Sequence, residues 1–391
     1  MVSPVVSGAW NPQMYAMAAL RYLKAKKTFL RTVNTQYDAE RGGSFNQGNV
    51  INVRKKQTIT VRDETDLSFD TLNPDSLQIT LDTYRHASFE TLDYDLAFAG
   101  QRLVDEQIMP AVDALAENVS SACLTAAYKA VGAYHLVAAT SGYGVEDITG
   151  PQAILMQNRC PVEDERNMFY ALSPTMNQGF LNLSAFTQHQ GAGQQGVADQ
   201  ITGQIQRRYG FNFLPTQLIP TFGGHTLSAT TLAVLADTSK GATTIGLDAG
   251  SLTGSITPGT VFTIAGDTTV YCATNTVAAS GNALAGVTIT PALQVAAAED
   301  AVVTVVASAS VAKKQNLAYH RDAFAFVAAP LPRTAMHQAS AMMGVATDPD
   351  SGLSLRLAFG WDIKTNKAMG KVDILCGFKV LNPFLACRVI E

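Results

Sequence analysis

Charged side chains are scarce in this sequence. Only 15% of its 391 residues are Asp, Glu, Lys or Arg, while 47% are apolar. A freely dispersed domain usually carries about 25% charged residues. The deficit suits a chain that hides much of its surface in contacts with other subunits. A basic excess is missing too: 28 Lys and Arg face 32 Asp and Glu, for a net charge of −4. A duplex-binding protein needs a basic stripe, so nucleic-acid binding is not the main activity. The short runs Lys24-Ala25-Lys26-Lys27 and Arg54-Lys55-Lys56 read as solvated faces. Cysteine is sparse and odd in number. Cys123, Cys160, Cys272, Cys376 and Cys387 are scattered, with no CxxC spacing. They read as small hydrophobes in a reducing compartment, not as a disulfide framework. No apolar run reaches the ~18 residues that would span a bilayer. Met1-Val2-Ser3-Pro4 has no basic region followed by an apolar core, so no signal peptide is expected.

Catalytic motifs are missing as well. The chain has no GxxxxGK[ST], HExxH or GxSxG pattern. Its six histidines (86, 135, 189, 225, 320 and 337) are dispersed without ligand-like spacing. Gly191-Ala192-Gly193-Gln194-Gln195-Gly196 matches GxGxxG, but a dinucleotide site needs a strand before it and an acid about 20 positions on. Helix-like and polar residues precede it, Thr216 stands where the acid belongs, and a loop is the better reading. Glu163-Asp164-Glu165 could supply carboxylates, yet it reads as an exposed turn before a strand. Asp105-Glu106 reads as a polar face flanking a helix. No nucleophile, base and orienting group can be assembled. No catalytic, metal or cofactor-binding residue is assigned, no cofactor is expected, and the chain is not read as an enzyme.

What is present begins at Gly48 to Leu96. Ile51, Val53, Ile59 and Val61 alternate with polar residues from Val50 to Arg62, the period of a strand. Leu77 to Tyr84 alternates likewise. Between them lies an acidic tip with Asp63, Glu64, Asp66, Asp70 and Asp75 and an Asn73-Pro74 turn signal. Such a ribbon is too polar on one face and too long to be a core element, and alone it is only marginally stable. It is expected to project onto a neighbouring subunit. The candidate inter-subunit contacts are Arg54, Lys55, Lys56, Arg62, Asp63, Glu64, Asp66 and Asp70.

Asn11-Pro12 opens a helix with Met14, Met17, Ala18, Leu20 and Leu23 at helical spacing. A second helix is expected from Pro110 to about Tyr134, with Val112, Leu115, Val119, Ala122 and Ala126 on one stripe; about 24 residues would span ~36 Å. From Val145 to Thr221 the pattern is α/β, with a buried strand Met168–Leu172, a Ser173-Pro174 helix start, a helix Ile201–Tyr209 and a short strand Gly210–Pro215. Near His225 the composition shifts to Thr, Ala, Val and Gly. Short strands at 244–247, 260–264, 269–272, 286–290 and 301–306 suggest an inserted small barrel or sandwich. The tail is all β: Leu353 to Trp361, Lys371 to Val380 and Ala386 to Ile390.

The order of several segments resembles a tailed-bacteriophage major capsid (coat) protein of the Hong Kong 97-type fold, in the short-tailed-phage branch with an inserted β domain. The segments are Asn52-Val53-Arg54-Lys55 through Thr60-Val61-Arg62-Asp63, Pro110-Ala111 through Leu115-Ala116-Glu117-Asn118, and Pro161 to Asn167 with Leu172-Ser173-Pro174. Gly223-Gly224-His225-Thr226, Pro258 to Gly266 and Asn316 to Ala325 complete the set, which covers most of the chain. The resemblance implies an α+β fold with peripheral and axial domains, a spine helix, an extended β-hairpin loop and an inserted small β-barrel. It implies an N-terminal arm and helix at 1–48, the extended loop at 49–93 and the spine-helix region at 94–144. The axial domain would take 145–225 and 313–345, the inserted barrel 226–312, and C-terminal strands 346–391. The implied function is a structural subunit that self-assembles as hexamers and pentamers into an icosahedral shell around packaged double-stranded DNA. The implied partners are further copies of itself, a separate scaffolding protein, a portal protein, DNA held non-specifically on the inner surface and a decoration protein, with no membrane. Its place would be the virion, after synthesis in the bacterial cytoplasm. Some phages of this fold cross-link subunits through a Lys and an Asn. Lys55 and Lys56 lie in the extended loop, but no motif marks a partner. Two alternatives remain: an encapsulin-type compartment shell, which shares the fold but is not expected to carry the insertion, and a phage tail or decoration protein, which would be β-rich but has no reason for a spine helix.

Overall fold

The computed structural model describes residues 12–26, 29–35, 49–54, 76–92, 108–137, 142–187, 199, 201–203, 205, 207–306, 312–331, 342–347 and 354–391. In chain order the elements begin with α1 (Pro12–Lys26), β1 (Val50–Arg54), β2 (Ser76–Thr80), β3 (Thr83–Leu92), α2 (Met109–Tyr128), β4 (Tyr134–Leu136) and α3 (Glu146–Gln157). Next come β5 (Met168–Leu172), α4 (Pro174–Leu181), α5 (Ser184–Thr187), β6 (Asn212–Pro215) and β7 (Thr221–Phe222). There follow β8 (Thr231–Val234), β9 (Thr244–Asp248), β10 (Ser255–Ile256), β11 (Val261–Ile264), β12 (Val270–Ala273), β13 (Val277–Ala278), β14 (Ala283–Thr290) and β15 (Val302–Val305). The last are β16 (Lys313–His320), β17 (Phe324–Ala329), β18 (Met342–Thr347), β19 (Ser354–Asp362), β20 (Lys367–Val380) and β21 (Ala386–Ile390). Two compact units result. One draws on Met1–Lys27, Asn34–Ala116 and Ala325–Leu381, the other on Thr28–Val33, Glu117–Phe324 and Asn382–Glu391.

In the first unit the strands run β17-β20-β19-β18, and β3 also pairs with the long β20, from Thr83 opposite Cys376 to Leu92 opposite Lys367. α1 starts at a proline, whose fixed φ suits a first helical turn. It buries Ala16, Ala19, Leu20 and Leu23 at three-four spacing, and Gln13 donates to the Val345 carbonyl of β18 at 2.9 Å.

In the second unit a mixed sheet runs β4-β21-β16-β5-β6. β5 is buried along almost its whole length, so it reads as a continuous apolar run instead of an alternation. Ser173 caps α4, its hydroxyl accepting from Met176 N–H at 3.1 Å, with Pro174 in the first turn. Tyr170, Phe180, Phe186, Phe211 and Phe213 pack ring on ring against this sheet, with centroids 5.6–6.5 Å apart. Residues 231–305 close into a six-stranded antiparallel barrel, β11-β12-β14-β9-β8-β15. Alternation fills it: Leu232, Val234, Ile245, Leu247, Phe262, Ile264, Val303 and Val305 point inward, while threonines take many outward positions.

Three readings of the sequence need correction. α2 ends at Tyr128 and spans 20 residues, ~30 Å, instead of running to about Tyr134. Tyr134 to Leu136 pair parallel with β21, which offers hydrogen bonds that a longer helix would forgo. Ile201 to Tyr209 is not one helix: Gly203, Tyr209 and Gly210 have positive φ, and Arg208 bridges to Phe211. The second ribbon strand breaks at Leu81-Asp82, and Tyr84 belongs to β3 in another sheet.

The barrel meets its framework around one buried cation. Arg388 of β21 is fully buried, and no carboxylate among the described residues forms an ion pair with it. Its Nε and one terminal nitrogen donate to Gln315 Oε1 of β16 at 3.0 and 2.5 Å. The other terminal nitrogen donates to the Gly259 carbonyl at 2.8 Å and faces Cys272 Sγ at 3.8 Å. Its guanidinium carbon lies 5.4 Å from the Tyr128 ring centroid and 5.9 Å from that of Phe222. Burial pulls the guanidinium pKa down and pushes the Cys272 thiol up, so the thiol keeps its proton and donates it to the Lys129 carbonyl at 3.1 Å. Gly259 sits there at φ +100°, and a Cβ would come 2.8 Å from the Tyr128 ring; only glycine combines that backbone with that approach. Gln315→Met strands two guanidinium donors in a dry interior and is expected to cost about 3 kcal/mol or more in denaturant unfolding of the full chain. Adding Arg388→Met should recover most of that loss, because the unpaired charge leaves with it. A double variant no more stable than Gln315→Met contradicts this account.

Candidate assembly surface

Of the candidate contact residues, only Arg54 lies among the described residues. It is exposed at the end of β1, opposite Ser76. Lys55, Lys56, Arg62, Asp63, Glu64, Asp66 and Asp70 lie outside the described residues, as do Gly191 to Gly196, Asp105-Glu106, His189 and His337.

The ribbon's base is seated, not free. Val53, Ile79 and Leu81 are buried against Ala325, Val327 and Ala329 of β17, with Leu375 and Leu381 beside them. The alanines of β17 leave room for the ribbon to lie close. Gly377 of β20 completes the seat: a Cβ there would come 2.5 Å from the Thr80 carbonyl oxygen, a backbone atom. The expectation of a ribbon too polar to be core is therefore wrong for its base. One face of β1 and β2 carries Ile51, Val53 and Ile79, and burial of that face outweighs the polarity of the other.

Beyond the seat, β3 exposes Tyr84, Arg85, His86, Ser88 and Glu90. One buried carboxylate organises this part of the sheet. Asp373 accepts from Arg356 Nε at 3.0 Å, from an Arg356 terminal nitrogen at 2.6 Å and from Tyr84 Oη at 2.8 Å, with Lys371 Nζ at 3.3 Å. The bond to Asp373 holds the Arg356 pKa above its usual range, and the bond to Tyr84 does the same for Lys371. The exposed Lys367–Glu90 pair at 2.6 Å contributes little by comparison.

The β19–β20 turn presents an apolar surface that sequence reasoning missed. Ile363 is 77% exposed, Trp361 54% and Met369 45%. Asp362 shapes the turn by accepting from Lys364 N–H at 3.0 Å and Thr365 Oγ1 at 2.8 Å. A groove of about 480 Å³ lies alongside, lined by Phe89, Phe359, Gly360, Met369 and Gly370. The available signal was an isoleucine inside the turn Asp362-Ile363-Lys364-Thr365-Asn366, where polar residues are the rule.

Among the described residues no group of His, Cys, Asp and Glu is placed to hold a metal, and no helix is long and apolar enough to cross a membrane. All five cysteines are buried, and none forms a disulfide. Glu163, Asp164 and Glu165 lie in an exposed turn before β5, and Asp164 stands 3.6 Å from the buried His320.

No protein-family model matches the chain, and no curated protein matches it in sequence. Solved structures do match. One, described as "Mycobacterium phage Che8", has 12% identity and a TM-score of 0.50, covering 93% of this chain and 90% of that one. "Acidic stable capsid structure of Helicobacter pylori bacteriophage KHP30" has 9% identity and a TM-score of 0.45, covering 93% and 91%. "Crystal structure of virus-like particle from Pyrococcus furiosus" has 8% identity and a TM-score of 0.41, covering 96% and 97%. The chain has the α+β Hong Kong 97-type fold.

Gly377→Ala is expected to push the Thr80 backbone away, at ~1–3 kcal/mol, the usual cost of overpacking. Amide exchange at Leu81, whose N–H is bonded to the Asn49 carbonyl at 2.8 Å, should accelerate. Unchanged exchange there means that the seat tolerates the methyl group.

Proposed function

We propose that this chain is the major capsid (coat) protein of a tailed bacteriophage. It self-assembles as hexamers and pentamers into an icosahedral shell that encloses packaged double-stranded DNA, and it works structurally, without catalysis or cofactor. The observation that carries the reading is the full-length likeness to a phage structure, over 93% of this chain and 90% of the other. The order of the sequence segments and the low charge density support it.

In this reading the ribbon, 49–93, is the extended loop, and α2 belongs to the spine-helix region, 94–144. Residues 145–225 and 313–345 form the axial domain, 226–312 the inserted domain, and 1–48 and 346–391 the arm and the closing strands. The barrel between His225 and Lys313 favours a phage coat protein over an encapsulin-type shell, which is not expected to carry it. The partners are other copies of the chain, a scaffolding protein, a portal protein, a decoration protein and DNA held non-specifically inside. The chain is made in the bacterial cytoplasm and resides in the virion.

Negative-stain microscopy of the expressed chain, alone and with its neighbouring gene product, should show closed shells; tubes or isolated trimers would contradict the proposal. Deleting Asp63–Ser76 should leave a folded, soluble subunit that forms no stable shells, and normal particles would remove the ribbon from this role. Reversing Arg54, Lys55 and Lys56 together should raise the protein concentration needed for assembly, with little change in subunit melting. Each exposed pair contributes only ~0.2–1 kcal/mol, but a shell repeats the contact at every subunit. The defect should change with salt, because such pairs are screened over ~8 Å at physiological ionic strength. Assembly equal to wild type at low and high salt would mean that these residues are merely solvated.

A further inference from the structure

Four side chains of the second unit converge on one carboxylate. Glu391 accepts from Ser173 Oγ at 2.6 Å and Asn316 Nδ2 at 3.4 Å on one oxygen, and from Tyr143 Oη and Thr175 Oγ1 on the other. Ser173 and Asn316 are fully buried. Three of the four donors are pre-aimed by a second bond. Ser173 Oγ already accepts from the Met176 N–H of α4 at 3.1 Å, so its own proton turns to the carboxylate. Asn316 Oδ1 accepts from Ser173 N–H at 2.6 Å, which leaves Nδ2 facing Glu391. Lys314 Nζ occupies Thr175 Oγ1 at 3.1 Å, so that hydroxyl also donates inward. The N-terminal turn of α4 adds its positive end.

We infer that Tyr143, Ser173, Thr175 and Asn316 form a carboxylate receptor. It is closed in cis by the Glu391 side chain, and it accepts a free carboxylate when Glu391 is removed. Four groups that donate to the two oxygens of one carboxylate suit an ionised acceptor, because charge-assisted bonds are the stronger ones and an amide would offer them a single oxygen. Seated there, Glu391 fixes the end of β21, which carries Arg388 three residues earlier. Its backbone N–H bonds the Lys314 carbonyl at 3.1 Å, continuing the β16–β21 register.

The protonation states agree. Burial opposes ionisation of Glu391, but the bonds from Ser173, Thr175, Tyr143 and Asn316 outweigh it and hold the carboxyl below its usual range. Burial and the Glu391 contact push the Tyr143 phenol up to about 12, so it remains a donor. With the folded pKa lowered, the contact stabilises fully above the usual glutamate range and is lost as pH falls through the lowered value. The neighbouring charged groups are Lys314 of β16, Asp147 of α3 beside Tyr143, and His135 of β4, bonded to Asp147 at 3.0 Å.

The test is chemical rescue in the full chain. Glu391→Ala should lower Tm by about 2–4 °C or more, and sodium acetate should restore it along a saturable curve, while equal sodium chloride does not. Wild type, its receptor filled, should not respond to acetate beyond the salt control. Glu391→Gln keeps the shape, blocks the pocket with an amide and should show the loss without the rescue. Glu391→Ala combined with Ser173→Ala should lose acetate response. Should Glu391→Ala not fold, ¹³C-acetate line broadening with Glu391→Gln and wild type must both be absent for the proposal to stand. Acetate acting equally on wild type and Glu391→Ala, or on neither, overturns it.

Discussion

The second unit depends on a buried guanidinium with no counter-charge among the described residues. A closed antiparallel barrel has no free edge through which to join a neighbouring sheet, so the tie to its framework must be made by side chains and stray carbonyls. Arg388 makes that tie. From β21 it reaches the Gly259 carbonyl and Cys272 of the barrel and Gln315 of β16, and it lies against Tyr128 and Phe222. Burying an ion costs several kcal/mol even after relaxation, and dipoles and ring faces offset this only when the geometry is good. That requirement holds five other stretches of chain around β21 at one point.

The first unit solves the same problem differently. Its buried charge, Asp373, is surrounded by Arg356, Lys371 and the Tyr84 hydroxyl, so direct counter-charges offset its desolvation. There the tight constraint is steric. The ribbon base lies so close to β20 that Gly377 is the only residue that fits beneath Thr80. The seat on β17 and β20 holds the base of the ribbon in place.

Scarce charge has a structural counterpart in the exposed apolar side chains of the first unit. Trp361, Ile363 and Met369 stand around the β19–β20 turn, and Met14 and Met17 lie on the outer side of α1. A solitary soluble subunit would gain nothing from these exposures. A subunit that covers them with other copies would.

By itself the sequence determined elements whose signals are local. Met168–Leu172 as a buried strand, Ser173-Pro174 as a helix start, Ala386–Ile390 as a strand and the short Thr- and Val-rich strands after His225 were all legible, because periodicity and caps act within a few residues. The first ribbon strand was legible from its alternation, and Arg54 could be named as a contact candidate from its place on it. Only the tertiary structure decided where α2 stops, since Tyr134 to Leu136 become a strand only when β21 lies beside them. Gly377 reads as an ordinary strand glycine until Thr80 is placed over it. Arg388 reads as an exposed polar residue in a terminal strand until the barrel's Gly259 and Cys272 and the framework's Gln315 close around it. Glu391 is unremarkable until Tyr143, Ser173, Thr175 and Asn316 meet it. The Tyr143–Glu391 contact alone joins residues 248 positions apart, and no short-range pattern encodes a partner at that separation.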